Sequence, residues 1–316
     1  MRTLWAGYQS LLLGCIIALT ACVSAQQAGQ DHTPVSDNVA TPLHDQQYPA
    51  MWRVSDADTQ IYLFGTFHLL PEGLDWISPA MRAAMAATNV TYFEADTTSE
   101  RANRELQAAI LEHGVNPPGV TLSSLLGAVR AARFATIAEG YGIPMESLET
   151  MRPWLASLQV TLTAYSQLGF APGAGAETAI QELAKSQNDR LAYLENGADQ
   201  IAAFASVEEQ DAFASFDDGI SQLIDPSPQI FRLLEAWQTG DVEAIEEEIT
   251  LAVRDASPAT YQILFIDRNN DWARTLTALM EGEGNYFVAV GAGHLVGEGS
   301  VVDMLRSGGY SVTRIQ

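Results

Sequence analysis

Cysteine is almost missing from this chain: of 316 residues only Cys15 and Cys22 are cysteines, and both lie near the start. No disulfide can staple the remainder, and neither papain-like chemistry nor a thiolate metal site is available to it. The scarcity is compatible with an oxidising compartment, because a domain of this size can be stable without covalent staples. Basic residues are few as well, 16 Lys and Arg against 39 Asp and Glu, for a formal net charge of -23. A surface of that sign repels phosphate backbones and anionic headgroups, which argues against nucleic acid as a partner. The apolar run from Leu11 to Ala21 is too short to span a bilayer.

That run, with Arg2 ahead of it, has the form of a secretory signal. It ends in Leu19-Thr20-Ala21-Cys22, which resembles the lipobox of bacterial lipoproteins, where a peptidase cuts before a cysteine that carries the lipid. Residues 1–21 are then a signal peptide, and Cys22 is the lipidated N-terminus that anchors the chain to a membrane. Val23 lacks the acidic character associated with inner-membrane retention, so this reading expects an outer-membrane lipoprotein facing the periplasm. The competing reading, cleavage after Val23-Ser24-Ala25, gives a soluble periplasmic or secreted form. Residues 22–48 are polar and too poor in apolar groups to offset their ordering entropy, so they read as a tether in which His32 and His44 are solvated.

From residue 49 to 316 the pattern is that of one α/β domain. Gln60 to Phe64 and Asn89 to Phe93 read as strands, and Ser78-Pro79 starts a helix between them, which suggests a βαβ unit with a parallel pair. Between about Glu100 and Glu281 the periodicity is helical, with strand-like breaks at Met145 to Leu148 and Leu191 to Leu194, each followed by an acidic residue, Glu149 and Glu195. Tyr286 to Val290 and Tyr310 to Ile315 close the chain as strands. The expectation is a mixed, largely parallel sheet flanked by helices, with a large helical insertion.

One local pattern occurs twice. Leu63-Phe64-Gly65-Thr66-Phe67-His68-Leu69 and Ala289-Val290-Gly291-Ala292-Gly293-His294-Leu295 are both an apolar strand followed by Gly-x-x-His-Leu. Ligands bind outside the carboxyl ends of parallel strands, so both histidines would share the functional edge if their strands run the same way. Glu94 ends a third strand. Two imidazoles and a carboxylate suit a divalent cation such as Zn²⁺, Mn²⁺ or Co²⁺ with a position left for water. The plainer alternatives are loop-fixing histidines and a carboxylate that caps the next helix, while His113 before Gly114 reads as a helix-end residue.

The segments IYLFGTFHLLPEG, YFEAD and YFVAVGAGHLVGEGSVVDMLRSGGYSV resemble the opening and closing blocks of the TraB/PrgY/GumN family, which is related to the animal Tiki proteins. Weaker matches are Met151-Arg152-Pro153-Trp154, the Gly-Ala-Glu177 segment, Leu194-Glu195 and Asp267-Arg268-Asn269. The resemblance implies metalloprotease-type chemistry on a peptide or protein substrate. In it His68 and His294 are metal ligands, Glu94 a ligand or general base, Glu177 a further carboxylate that becomes the proton carrier if Glu94 is a ligand, and Arg268 an electrophile for a tetrahedral oxyanion. The rival reading is a non-catalytic envelope lipoprotein that binds metal, haem or a peptide without turnover.

Overall fold

The computed structural model describes residues 47–211 and 214–316. The expected signal segment, Cys22, His32, His44 and nearly all of the expected tether lie outside the described residues. Among the described residues eight strands follow in order: β1 (Met51–Ser55), β2 (Thr59–Thr66), β3 (Leu70–Pro71), β4 (Val90–Ala95), β5 (Phe170–Ala171), β6 (Arg190–Glu195), β7 (Gly284–Gly291) and β8 (Ser311–Arg314). Six of them form the main sheet in the order β6-β4-β7-β2-β1-β8, and β3 pairs with β5 beside it.

The centre of the sheet goes to β2 and β7. Their inner residues carry no charge, as strands buried on both faces require, and Val288, Ala289 and Val290 are no more than 1% exposed. They pair in parallel along their whole length, from Thr59↔Gly284 to Thr66↔Gly291. β4 pairs in parallel with the other side of β7, and β6 in parallel with β4, while β1 runs antiparallel to both β2 and β8. The architecture is thus the mixed, mostly parallel α/β sheet that the pattern called for. The two strands of the expected βαβ unit, β2 and β4, do run in parallel, but they are not neighbours: β7, from the far end of the chain, lies between them.

Ser78 caps the helix Pro79–Ala86, its hydroxyl accepting from the Met81 amide, with Pro at the first helical position. The break at Leu191 becomes β6. The break at Met145 does not become a strand: Pro144 precedes it and the Ser147 hydroxyl donates back to the Pro144 carbonyl at 2.7 Å, closing a 3-10 turn instead. His113 lies in the last turn of the helix Glu100–Gly114. Arg268 opens the helix Arg268–Met280, which continues without a break from a π-helical turn, Gln262–Asp267. Among the described residues no helix is long and apolar enough to cross a membrane.

Two apolar centres hold these layers together. Under the sheet, Phe64 stacks on Trp76 at 5.6 Å and on Phe287 at 6.2 Å, and Trp76 lies 5.4 Å from Trp237. The insertion has its own smaller centre around Leu126, Phe134, Phe216 and Ile220. Trp237 joins the layers by a directional contact, its buried indole N–H donating to the Gly65 carbonyl at 2.8 Å, at the point where β2 turns toward His68. Trp237→Phe keeps most of the apolar bulk and removes this donor from a buried carbonyl, so urea denaturation should show a loss of about 1–3 kcal/mol.

Candidate active site

Because β6, β4, β7 and β2 all run the same way, their carboxyl ends form one edge, and each brings a polar side chain to it. His68 stands two residues past β2, Glu94 is next to last in β4, Glu195 ends β6, and His294 sits on a 3-10 turn, Ala292–Leu295, just past β7. The two Gly-x-x-His loops lie side by side, offset by one position, since Thr66 pairs with Gly291. A Cβ on Gly65 would press on Ala292 at 3.1 Å, so glycine lets the loops touch. A Cβ on Gly291 would stand 3.2 Å from Glu94 Oε1, 3.3 Å from His68 Nε2 and 3.6 Å from His294 Cδ2. Glycine here leaves a small space that all three side chains border.

Each of these groups is fixed from behind. His68 Nδ1 meets Glu177 Oε1 at 2.6 Å, and the helix that carries Glu177, Ala176–Ser186, is tied to the same loop by the Ala176 amide donating to the Phe67 carbonyl at 3.0 Å. His294 Nδ1 meets Asn269 Oδ1 at 2.6 Å, while the Asn269 amide N–H donates to the Gly299 carbonyl and so sets which end faces the ring. An amide oxygen only accepts, so His294 carries its proton on Nδ1 and presents the Nε2 lone pair, toward Arg268 Nη1 at 3.1 Å. Arg268 Nη2 donates to Glu94 Oε2 at 2.7 Å and to Glu195 Oε1 at 2.6 Å. Gln200 Nε2 donates to the same two oxygens at 3.2 and 2.6 Å, and the Gly291 amide donates to Glu94 Oε1 at 2.7 Å. His68, Glu94 and His294 are 5%, 1% and 2% exposed.

A sequence model of the TraB/PrgY/gumN family matches residues 50–314. The chain belongs to the TraB/PrgY/gumN family. Among curated relatives, the uncharacterized protein YbaP of Escherichia coli (strain K12) is 28% identical over 170 residues, 54% of this chain and 62% of that protein, and its Shigella flexneri namesake gives the same figures. The metalloprotease TIKI homolog of Amphimedon queenslandica is 36% identical over 92 residues, 28% of this chain and 16% of that protein. The chain therefore spans less than two thirds of the length of the relatives it matches. No solved structure matches it significantly.

The metalloprotease relative raises the question whether this TraB/PrgY/gumN site suits a metal. Among the described residues no group of three or more His, Cys, Asp or Glu is spaced to hold a metal ion. The Arg268 guanidinium reaches both His294 Nε2 and Glu94 Oε2 and spans the space between them. The donor chemistry nonetheless fits. Each imidazole has its Nδ1 bound by a carboxylate or amide oxygen, the usual outer support of a metal-binding histidine, and a carboxylate oxygen borders the same space as His68 Nε2. The charge count leans the same way, since the cluster holds three carboxylates, Glu94 and Glu195 on Arg268 and Glu177 on His68, and one guanidinium.

The structure brings all five residues singled out in the sequence, His68, Glu94, Glu177, Arg268 and His294, into one cluster. Glu177 is not placed as a free proton carrier, because its carboxylate is engaged with His68. Glu195, Gln200 and Asn269 belong to the cluster and were not singled out. A strand-end carboxylate was the available signal for Glu195, but Glu149 shows the same signal and instead accepts from the Ser123 amide at 3.0 Å, far from the site. Gln200 sits on a helix and carries no local signal, whereas Asn269 stood only within the weaker Asp267-Arg268-Asn269 match and was given no role.

Burial pulls His68 down, but the Glu177 carboxylate more than offsets it, so the imidazole is raised above its ordinary value and Glu177 is lowered. Burial pushes Glu94 up against the opposing pull of Arg268. Burial, with Arg268 beside it, holds His294 well below 6.5. The unfolded chain protonates residue 294 below that value and the native state does not, so this contribution is lost as pH falls through 6.5. His68 works in the opposite window: its contribution is complete below 6.5 and is lost as pH rises through its raised value. In chelator, His294→Gln should flatten the acid-side loss and His68→Gln the loss on the alkaline side. Each should change the slope by up to about 1.4 kcal/mol per pH unit in urea titrations.

Proposed function

We propose that this cluster is the active site of a metal-dependent hydrolase acting on a peptide or protein, with Mn²⁺, Co²⁺ or Zn²⁺ held by Nε2 of His68 and of His294 and by the Glu94 carboxylate. The observation that carries the reading is the shared space at Gly291, bordered at 3.2 to 3.6 Å by Glu94 Oε1, His68 Nε2 and the His294 ring. The metalloprotease relative supports it. A divalent cation bound there would polarise an acyl carbonyl and lower the pKa of a bound water toward about 7.

The chain's own residues do the rest. Glu177 keeps the Nδ1 proton on His68 and thereby turns the Nε2 lone pair inward; Asn269 does the same for His294. Glu94 has Oε2 committed to Arg268 and Gln200, so Oε1, beside the shared space, is the oxygen that would either face the cation or pass a proton, one role excluding the other. Arg268 Nη1, 3.1 Å from His294 Nε2, is the N–H group that would face a tetrahedral oxyanion. Burial keeps water away from these charges and strengthens every contact among them.

The test is metal content and peptide hydrolysis by the mature chain with and without each of the three ions. Hydrolysis should require metal and fall about 10²–10⁴-fold in Glu94→Gln, and His68→Ala and His294→Ala should lose bound metal. Glu177→Gln should weaken metal binding about 10–100-fold. Metal bound with no peptide cut would move the reading to a non-catalytic binding protein, and no metal bound would remove it. The envelope location is likewise a proposal, resting on Leu19-Thr20-Ala21-Cys22. Labelled palmitate should enter the intact chain and be absent from Cys22→Ser.

A further inference from the structure

Three residues from one turn of a helix reach the charged cluster. The helix Arg268–Met280 opens with Arg268 and Asn269, and Trp272 follows on the same face as Arg268, because residues four apart on a helix are neighbours. Arg268 answers Glu94 and Glu195, and Asn269 holds His294. Trp272 is wholly buried and belongs to the main apolar core, which by itself would account for a large apolar residue there.

Its contacts go beyond what bulk requires, because the one indole touches three members of the cluster in three ways. The guanidinium carbon of Arg268 lies 4.7 Å over the ring, the indole N–H donates to Glu195 Oε2 at 3.3 Å, and the ring centroid is 4.5 Å from that of His294.

A guanidinium carries its N–H groups in its own plane. Arg268 is bonded all along that edge. Nε and Nη2 donate to Glu195 at 3.1 and 2.6 Å, Nη2 to Glu94 at 2.7 Å, and Nη1 to the Leu264 carbonyl at 3.2 Å, with His294 Nε2 at 3.1 Å. Hydrogen bonds keep most of their strength while the donor angle bends by about 30°. They therefore fix where the edge lies more firmly than how the plane tilts. A ring packed on the flat face supplies the remaining constraint. An aromatic face attracts a cation through its quadrupole, more strongly where water is excluded, and adds no charge to a cluster that already holds three carboxylates. Phenylalanine would keep a weaker face and lose the donor to Glu195, while leucine would lose both.

We propose that Trp272 is a positioning residue of the candidate hydrolase: its indole face sets the tilt of the Arg268 guanidinium, its N–H sets the place of Glu195, and together they aim Arg268 Nη1 at the oxygen of the reacting carbonyl. The aim at a carbonyl rests on the hydrolase reading above, whereas the hold on Arg268 does not.

The test replaces Trp272 in the mature chain, at that one position, with 5-fluorotryptophan and then 5,6,7-trifluorotryptophan. Fluorine withdraws electron density from the ring face and nearly preserves its size, so a residue that only fills space gives no trend. In metal-free protein, hydrogen exchange at the Arg268 Nε–H, followed by ¹⁵N NMR, should quicken stepwise along the series, by about tenfold in total, with the urea midpoint unchanged. In metal-loaded protein kcat for peptide hydrolysis should fall in the same order with KM constant. Trp272→Leu should lower kcat about 10–100-fold, and Trp272→Phe should recover part of that loss. Exchange that does not follow fluorination overturns the hold on Arg268. Exchange that follows it while kcat stays flat overturns the role in the reaction. If the wild type cuts no peptide with any of the three ions, the hydrolase reading falls, and the exchange series alone still decides whether Trp272 holds Arg268.

Discussion

The Arg268 guanidinium is the contact on which the functional edge depends. Glu94 is almost wholly buried and Glu195 partly so, and an isolated carboxylate in the interior either takes a proton or drives the structure apart. One planar cation with several N–H groups answers both acids at once and also reaches His294. Gln200 adds a second donor to the same pair of oxygens, so the two carboxylates are bridged twice. Removing one partner from a buried set of this kind costs about 3–5 kcal/mol, because the remaining charge cannot be rehydrated. A lysine, with one compact ammonium, could not span the same three partners.

That contact is possible only because the sheet brings distant parts of the chain to one edge. β2 and β7 are separated by most of the domain, yet they lie side by side in the same direction, and β4 and β6 extend the same parallel set. The helices between them are more than connection. They carry Glu177, Gln200, Arg268 and Asn269, the residues that set the orientation of His68, Glu94 and His294. The strands thus supply the groups facing the shared space, and the helices supply what holds those groups still.

Much of this was readable in the residues themselves. Apolar runs ending in Gly-x-x-His-Leu mark strands that exit into tight loops, and their repetition pointed to His68 and His294 together. The Ser-Pro start of the first helix and the β-branched and aromatic composition of β2, β4 and β7 are local signals with local physical causes, so sequence alone determined them. Other features depend on distance through space. The insertion of β7 between β2 and β4, the turn at Met145 in place of a strand, and the engagement of Glu177 with His68 were decided by which buried faces and polar groups could be satisfied together. Glu149 and Glu195 make the contrast plain. Both follow a strand-like break, but only Glu195 ends a strand of the parallel set, so only it meets Arg268, whereas Glu149 ends a turn and binds Ser123. Local sequence sets what a segment can form, and tertiary packing decides which charges it must answer.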